Sequence, residues 1–432
     1  MKLEDAGKSP KTDHVQFRVL QVVEPRGEQL LEHVLALAAH FPRRDFDVTV
    51  VGNLDRAFQD TLSRHSVRWV KTDWSKRASE AAAQMAKLIA TRKANVVHAH
   101  GPAAASMVAK ATAGMKDRPT LVYSAHELSG FETGALSLSW RAKATYRRLL
   151  GKMDSVIVLS QRDRQALGAM APEVVARAEV IPPGVDTRRV HHLLDPGHKK
   201  EGLGIGMNSA VVGIVADLDE HSGMETFLRA AEQVNEEMPN IEFVIVGDGP
   251  LRAQYEEFAH RLRLGGSALF LGRRADLPEV LATFNIAVVT TEAGGGTQTA
   301  LQALSLDLPV VAQDTGGLRE ILSQVEGLPL VTPGDPGALA TAIMDALEIV
   351  PEARPGEWHG TVSATGIGLS MQDMLVSTES FNLDRPGLEA EDRKLGKSPG
   401  AVLARRYSVG VMVRRTVALY RRLVKDRAGE VK

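Results

Sequence analysis

The chain has 432 residues, which is enough for two or three domains with substantial hydrophobic cores. Its 52 Lys and Arg residues balance 53 Asp and Glu residues, so no overall positive field favours nucleic acid as a partner. The absence of cysteine excludes disulfides, thiolate metal sites and cysteine nucleophiles, and it fits a reducing compartment.

Residues 1–16 are polar and are expected to be disordered. They contain no apolar core of a secretory signal, and no apolar run in the chain approaches the ~20 residues that span a bilayer. We therefore expect a cytoplasmic protein, either free or peripheral at the inner face of the membrane.

Residues 17–188 alternate apolar runs with amphipathic segments, which predicts a Rossmann-like N-terminal domain. The run Phe17–Val23 predicts a strand, 30–41 a helix and Phe46–Gly52 the next strand. The turn after the first strand reads EPRGE and lacks G-x-G-x-x-G, so the dinucleotide-binding fingerprint is absent.

Three histidines stand at the predicted carboxyl ends of two strands, where ligands bind in open α/β sheets. His98 and His100 close the run NVVHAH, and His126 follows the next strand in the loop SAHELSG. They are either structural, hydrogen-bonded side chains or functional groups, and His126 is the best candidate for a functional contact. Because His98 and His100 are two residues apart with no cysteine nearby, their spacing matches no standard zinc site and we expect no metal.

The segment 138–152 predicts a helix in which Trp140 and Tyr146 alternate with five Lys and Arg residues. This composition is typical of a helix that lies on anionic lipid. It equally fits an ordinary domain helix with one solvated basic face.

Residues 189–208 are rich in Gly, Lys and Asp and are interpreted as a linker, and 209–350 predict a second Rossmann-like domain. Within the second domain, the stretch 290–320 follows an apolar strand and continues as a glycine turn, a helix from 297 to 305 and a second strand. A helix N-terminus at the end of a parallel strand offers free N–H groups to an anion. The unit therefore predicts either a phosphate-binding site or an ordinary strand–helix–strand crossover.

The periodic pattern stops at 351–400, which we interpret as a largely disordered insertion and a candidate segment for binding a protein partner. Residues 401–425 then predict one amphipathic helix.

Together these features resemble the family 4 glycosyltransferases, which have the GT-B architecture. The resemblance covers roughly residues 17–350 and 401–425, and it rests on the order and spacing of its motifs. Those motifs are NVVHAHG, the SAH loop at His126, DSVIVLS, VIPPGVD, GDGP at 247–250, LPVVAQDTGG followed by Glu320, and the C-terminal RYSVGVMVRRTVALYRRLV.

The resemblance implies two Rossmann-like domains with parallel sheets facing a cleft, and a C-terminal helix that crosses back to the first domain. It also implies transfer of a sugar from a nucleotide-sugar donor to a glycan or lipid-linked acceptor, with retention of configuration and no metal or other cofactor. His126 would lie near the reacting sugar as the catalytic candidate. The implied donor-binding residues are Gly27, Gly223, Gly247, Gly249, Gly294, Gly295, Thr297, Gln298, Gln302 and Glu320.

Several positions depart from the family pattern. Asp217 and Ser222 stand where the family has the Arg and Lys of its phosphate clamp, and Glu28 stands in its Gly-Gly loop. Gly294 and Gln302 replace its two Glu residues. Removing one preorganised donor typically costs about 10²–10³ in rate, so these changes together predict a loss of at least ~10⁴. Four side chains are candidate substitutes for the missing clamp cations, namely His221, Arg273, Arg274 and Arg319.

Two functions therefore remain open from the sequence. The first is an active, divergent glycosyltransferase with a rearranged phosphate clamp. The second is a pseudo-glycosyltransferase that acts as a binding or scaffolding partner of an active glycosyltransferase.

Overall fold

A computed structural model describes the chain as two α/β units joined by two crossing segments. The described residues are 5–6, 16–24, 28–73, 78–126, 128, 140–186, 196–274, 276–291, 296–315, 317–324, 328–349 and 399–430. The predicted insertion at 351–400 lies outside them, except for its last two residues.

The first sheet has eight strands among the described residues, and all but its first strand run parallel. They are β1 (Asp5–Ala6), β2 (Phe17–Val23), β3 (Phe46–Gly52), β4 (Arg68–Lys71), β5 (Val96–His100), β6 (Thr120–Ala125), β7 (Ser155–Val158) and β8 (Ala178–Val180). Their order is β1-β4-β3-β2-β5-β6-β7-β8, so the direction of winding reverses between β2 and β5.

The second sheet has six parallel strands in the described part of the chain. They are β9 (Ala210–Val215), β10 (Ile241–Val246), β11 (Ala268–Gly272), β12 (Ile286–Val289), β13 (Val310–Gln313) and β14 (Leu330–Val331). The order β11-β10-β9-β12-β13-β14 reverses between β9 and β12. Because every residue of β12 and β13 is buried, these apolar runs are covered by helices on both faces. The predicted pair of Rossmann-like sheets is confirmed.

Helices cover both sheets. They are α1 (Glu28–His40), α2 (Arg56–Arg64), α3 (Ala78–Arg92), α4 (Pro102–Ala111), α5 (Trp140–Leu150), α6 (Gln161–Met170), α7 (Pro172–Val175), α8 (Pro196–Leu203), α9 (Met224–Glu237), α10 (Arg252–Arg261), α11 (Leu277–Leu281), α12 (Gly296–Ser305), α13 (Leu318–Leu322), α14 (Pro336–Ile349), α15 (Pro399–Arg406) and α16 (Val409–Glu430). Among the described residues, none of these helices combines the length and apolar content needed to cross a membrane.

The structure corrects two expectations about the ends of the domains. The predicted disorder of 1–16 is wrong at β1, which pairs antiparallel with β4 because that edge strand leaves backbone groups free to bond. The predicted linker 189–208 contains helix α8, in which the Lys200 ammonium donates to the Ser209 carbonyl at 2.8 Å. Composition did not reveal this helix because the second domain, against which Leu203 and Ile205 pack, stabilises it.

The predicted single helix 401–425 is also wrong, because the chain breaks between α15 and α16. There Val185 N donates to Tyr407 O at 2.8 Å, and Val409 N donates to Val185 O at 3.0 Å. These bonds join the two segments that run between the domains, so they replace helical bonds at the break. Gly184 permits the close approach, since a Cβ atom there would lie 2.7 Å from Val409 Cα.

Each side of this break packs on a different domain. Leu403 and Ala404 of α15 belong to a core cluster of the second domain. Met412 and Tyr420 of α16 are buried in a cluster with Phe17 and other residues of the first sheet. The predicted return of the C-terminal segment to the first domain is therefore confirmed.

Tyr420 gives a direct test of this packing. Its hydroxyl accepts from Gln21 Nε2 at 3.2 Å and bonds His98 Nδ1 at 2.7 Å, all in a buried setting. We expect Tyr420→Phe to lower the free energy of unfolding by about 1–3 kcal/mol, because both partners lose their bond without access to water. The measurement is urea unfolding followed by circular dichroism.

The control for Tyr420→Phe is Arg421→Ala, which removes an exposed ion pair with Asp45 from the same helix. It is expected to cost at most about 1 kcal/mol. Equal losses from the two variants would contradict the structural role given to the Tyr420 hydroxyl.

Candidate functional site

In each sheet the direction of winding reverses once, and both reversal points lie at the cleft between the domains. Ligands bind at such points in doubly wound folds. Asp217 follows β9 and Gly247 follows β10, on the side of the second domain. On the side of the first domain, Glu32 lies on α1, the first helix after β2.

Hydrogen bonds cross the cleft from the second domain to Glu32. Gln298 Nε2 donates to Glu32 Oε2 at 3.0 Å, and Gln302 Nε2 donates to the same oxygen at 3.1 Å. Both glutamines lie on α12, four residues apart and hence on one face of the helix. Two predicted donor-binding residues thus hold a carboxylate of the opposite domain.

Two cavities adjoin this contact. The smaller brings together four residues singled out by sequence, namely Asp217, Gly247, Gln298 and Gln302, with Glu32. The larger shares Glu32 and both glutamines and extends to Asp186. None of the described residues that line either cavity is a Lys or Arg. The described lining of the two cavities thus carries three carboxylates, those of Glu32, Asp186 and Asp217, together with the imidazoles of His40 and His65.

The glycines at the end of β10 are required by close packing of two loops. Gly247 has φ +132°, and a Cβ atom there would lie 1.9 Å from Ala216 O. A Cβ atom at Gly249 would lie 2.4 Å from Leu218 O. Only glycine lets the loops after β9 and β10 meet in this way, which places Asp217 and Gly247 at one cavity.

The loop before α9 directs Ser222, which stands where the family has the Lys of its phosphate clamp, towards the protein interior. Ser222 is buried, and its hydroxyl donates to Asp219 O at 2.8 Å. Gly223 has φ +66° and approaches Thr290, whose hydroxyl donates to Ser222 O at 2.8 Å. Ser222 therefore stabilises the loop and is absent from the lining of both cavities.

Glu320 and Thr297 lie at a different contact between the domains. The Glu320 carboxylate accepts from Gln161 N at 2.7 Å and from Arg162 N at 3.4 Å, at the start of α6. Free N–H groups at a helix N-terminus favour such a carboxylate. Thr297 is buried close to this contact. If Gly317 carried a Cβ atom, that atom would lie 3.7 Å from the Thr297 hydroxyl. The predicted donor contacts of both residues stay predictions.

Three of the four candidate substitute cations lie beside a carboxylate. Arg274 forms two bonds with Asp276, Arg319 bonds Asp314, and His221 lies 3.5 Å from Glu220. Arg273 is exposed. None of the four lines either cavity.

The histidines form a buried network at the ends of β5 and β6. His98 bonds Ser124 Oγ at 2.7 Å as well as Tyr420, so it has the structural role that the sequence left as one alternative. His100 Nε2 lies 2.5 Å from Gln21 Oε1, and His100 Nδ1 lies 3.2 Å from His126 Nε2. His126 is thus hydrogen-bonded to His100 and lines neither cavity.

His33 of α1 joins this group, although the sequence gave it no role. Its ring lies edge-on to His126, with ring centres 4.8 Å apart. Burial lowers the pKa of His33 to about 4, and its Nδ1 atom has no hydrogen-bond partner. Burial and the charges of neighbouring histidines also hold the pKa values of His98, His100 and His126 well below 6.5, so the cluster is neutral at pH 7.

Four site residues predicted from sequence remain without a structural account. Gly27, Gly294 and Gly295 lie outside the described residues. Glu28 is the first residue of α1, and its side chain is likewise outside the description. Their predicted roles at the donor phosphates stay predictions.

Sequence reasoning missed Glu32 and His33. A signal was available, because these two polar residues interrupt the apolar stretch of α1, LLEHVLALA. Polar side chains among apolar ones on a domain helix need a buried partner or a functional contact.

Comparison with known proteins identifies the class. A family model described as Glycosyltransferase Family 4 matches residues 32–189, and one described as Glycosyl transferases group 1 matches residues 209–348. These matches and the fold define a GT-B glycosyltransferase. The chain belongs to glycosyltransferase family 4.

Relatives of known name share about a quarter of their residues with this chain. The putative glycosyltransferase EpsD of Bacillus subtilis is 25% identical over 60% of this chain and 69% of its own length. The 2-deoxystreptamine N-acetyl-D-glucosaminyltransferase of Streptomyces fradiae is 28% identical over 47% of this chain and 49% of its own length. The chain thus spans about half the length of the Streptomyces fradiae protein.

A solved structure extends the likeness across almost the whole chain. HepE from Anabaena, in complex with UDP and glucose, superposes with a TM-score of 0.69 at 21% identity and covers 94% of this chain and 99% of its own. At this identity the likeness establishes the fold alone.

The buried histidines predict how stability depends on pH. His33 has a folded pKa of about 4 against 6.5 in the unfolded chain, so the unfolded state takes up the proton first as pH falls. The stabilisation is complete above pH 6.5 and is lost as pH falls towards 4, by about 3 kcal/mol for His33 alone. We expect His33→Gln to flatten this part of the profile, measured by urea unfolding of metal-free protein between pH 4 and 8.

The control for His33→Gln is His198→Gln, which removes a histidine side chain that is 85% exposed. It should keep the acid dependence of the unmodified protein. A His33→Gln profile as steep as that of the control would contradict the assignment.

Proposed function

We propose that this chain has kept the family 4 scaffold but has lost efficient sugar transfer from nucleotide donors, and that it serves as a binding partner in glycan assembly. The observation that carries this proposal is the pair of carboxylates that lines the smaller cavity. The carboxylates of Glu32 and Asp217 line the cavity where the resemblance places the donor diphosphate.

Electrostatics supports this proposal. A departing nucleoside diphosphate gains negative charge, which metal-independent transferases balance with cations and backbone N–H groups arranged in advance. Here two carboxylates line the same cavity, and its described lining residues include no Lys or Arg. Like charges at close range disfavour the bound diphosphate and the transition state alike.

The alternative is an active retaining transferase with a rearranged clamp. Family membership favours it, as does the structural likeness to HepE, a protein solved in complex with UDP-glucose. On this alternative, His126 would contact the reacting sugar, while Gln298 and Gln302 would leave Glu32 and bind the donor through neutral hydrogen bonds.

A donor assay separates the two functions. The purified full-length chain is incubated with UDP-, GDP- and ADP-sugars, with and without lipid-linked and free glycan acceptors, and nucleotide release is measured. We expect rates at least ~10⁴ below those of an active family member assayed in parallel, because the clamp cations are missing. Turnover comparable to that member would exclude the proposal.

Charge reversal tests the physical reason. We expect Asp217→Arg combined with Glu32→Gln to raise UDP affinity at least about tenfold, because it removes two carboxylates and adds a guanidinium at one cavity. Affinity is measured by isothermal titration calorimetry at fixed ionic strength.

The matched control is Glu220→Arg combined with Glu237→Gln, which changes the net charge equally at positions outside the cavity lining. It should leave UDP affinity within about twofold. An equal gain in both double variants would mean that overall charge, rather than the cleft, limits binding.

A peripheral membrane contact through α5 is a separate proposal. Tyr146, Leu149 and Leu150 belong to or pack against the core of the first domain, whereas Lys143 and Arg148 are exposed. The apolar residues are thus unavailable for insertion, and the exposed face favours an electrostatic contact with anionic lipid. The expected protein partner of 351–400 concerns residues outside the described ones and stays a prediction.

Flotation with liposomes containing phosphatidylserine tests this contact. We expect binding that salt weakens and that Lys143→Glu with Arg148→Glu reduces at least about tenfold, since each cation near the surface contributes about 1 kcal/mol. Arg147 is left unchanged because it bonds Glu173 at 2.6 Å. Lys87→Glu with Lys110→Glu, on other helices, makes the same charge change, and an identical loss there would count against α5.

A further inference from the structure

Three histidines from separate elements converge at the ends of β5 and β6. His33 lies on α1, His100 ends β5 and His126 follows β6. One ring nitrogen from each lies within 4.8 Å of the other two. The sequence spacing of His98 and His100 could not indicate this group, because the third member comes from a helix 65 or more residues away.

The separation between two of these nitrogens already suits a tetrahedral metal ion. His100 Nδ1 and His126 Nε2 are 3.2 Å apart. Two imidazole ligands at about 2.0–2.1 Å from a tetrahedral Zn²⁺ ion have nitrogens roughly 3.3 Å apart. The distance between these two nitrogens therefore matches one edge of a tetrahedral coordination shell.

The third histidine has unused binding capacity. His33 is 4% exposed, and its Nδ1 atom has no hydrogen-bond partner. Buried polar atoms without partners are rare in proteins, and each one needs an explanation. Binding of one His33 ring nitrogen to an ion shared with the two neighbouring imidazoles would give this buried ring a polar partner.

The surroundings of His100 match those of a metal ligand. Its Nε2 atom lies 2.5 Å from Gln21 Oε1, and the Gln21 amide in turn donates to Tyr420 at 3.2 Å. Histidines that ligate metals commonly donate their second ring N–H to an oxygen in this way, which fixes the tautomer and directs the other nitrogen to the ion. The contact thus directs His100 Nδ1 towards His126.

We propose that His33, His100 and His126 form a three-histidine site for a divalent transition-metal ion, with Zn²⁺ as the best match. Imidazole nitrogen suits Zn²⁺, Cu²⁺ and Ni²⁺, whereas Mg²⁺ and Ca²⁺ prefer oxygen ligands. Three protein ligands leave the fourth position of a tetrahedral ion for water or a ligand oxygen. This site is independent of nucleotide binding at the acidic cavities.

The test measures metal binding by the full-length chain after treatment with EDTA and dialysis. Zn²⁺ affinity is obtained by competition with a chromogenic chelator, and Co²⁺ absorption reports the coordination geometry. We expect one ion per chain with a tetrahedral Co²⁺ spectrum. His126→Ala should weaken Zn²⁺ binding at least about 100-fold, since even outer contacts of metal sites contribute 10–100-fold.

The choice of variants separates loss of a ligand from loss of the fold. His126 is the most exposed of the three residues, so its truncation disturbs the core least. The control is the double variant His191→Ala with His192→Ala, which removes two neighbouring histidines outside the proposed site. It should bind Zn²⁺ with the affinity of the unmodified chain. Circular dichroism establishes that each variant is folded.

X-ray absorption of the Zn²⁺-loaded, unmodified chain supplies a measurement that needs no variant. We expect three imidazole nitrogens at about 2.0–2.1 Å. The proposal is overturned by fewer than three imidazoles, by His126→Ala retaining full affinity, by loss of binding in the His191 and His192 variant, or by no Zn²⁺ binding in the micromolar range.

Discussion

The contact between the domains across the cleft depends on the carboxylate of Glu32, which accepts hydrogen bonds from Gln298 and Gln302 of the second domain. The resemblance places a glutamate of the family at position 302. A carboxylate there would face Glu32 within hydrogen-bonding distance and repel it, whereas an amide N–H bonds it. Glu32 is therefore compatible with Gln302, and it would fit poorly with the glutamate that the resemblance places there. This relation explains Gln302 as part of a contact between domains rather than as an isolated loss.

The contact forms because the chain crosses between the domains twice at one place. Val185 and the break between α15 and α16 exchange backbone hydrogen bonds there, and Gly184 admits the close approach. Both crossings then continue into packed helices or strands on each side. Glu320 adds a second link, since its carboxylate caps α6 of the opposite domain. The smaller cavity is thus bounded by groups from both domains.

Much of the fold was predictable from periodicity and composition, and the exceptions have physical reasons. Strands β2 and β3 begin and end as predicted because their apolar runs are local signals. Helix α8 and the break at Ser408 were missed because contacts distant in sequence stabilise them. The same holds at the site, where Asp217, Gly247, Gln298 and Gln302 were identified by motif order. Glu32 and His33 were not, because their partners lie on other elements.

Helix α1 connects the two chemical features of the cleft. Glu32 and His33 are successive residues on it, and successive side chains of a helix point about 100° apart. One therefore contacts the second domain while the other joins the histidines at the ends of β5 and β6. Leu37 and Phe41 of the same segment pack in one cluster with Tyr420 of α16, and the Phe41 and Tyr420 rings stack with centres 5.7 Å apart. Because α16 crosses from the second domain to hold α1, the C-terminal segment sets the position of both the carboxylate and the histidine cluster.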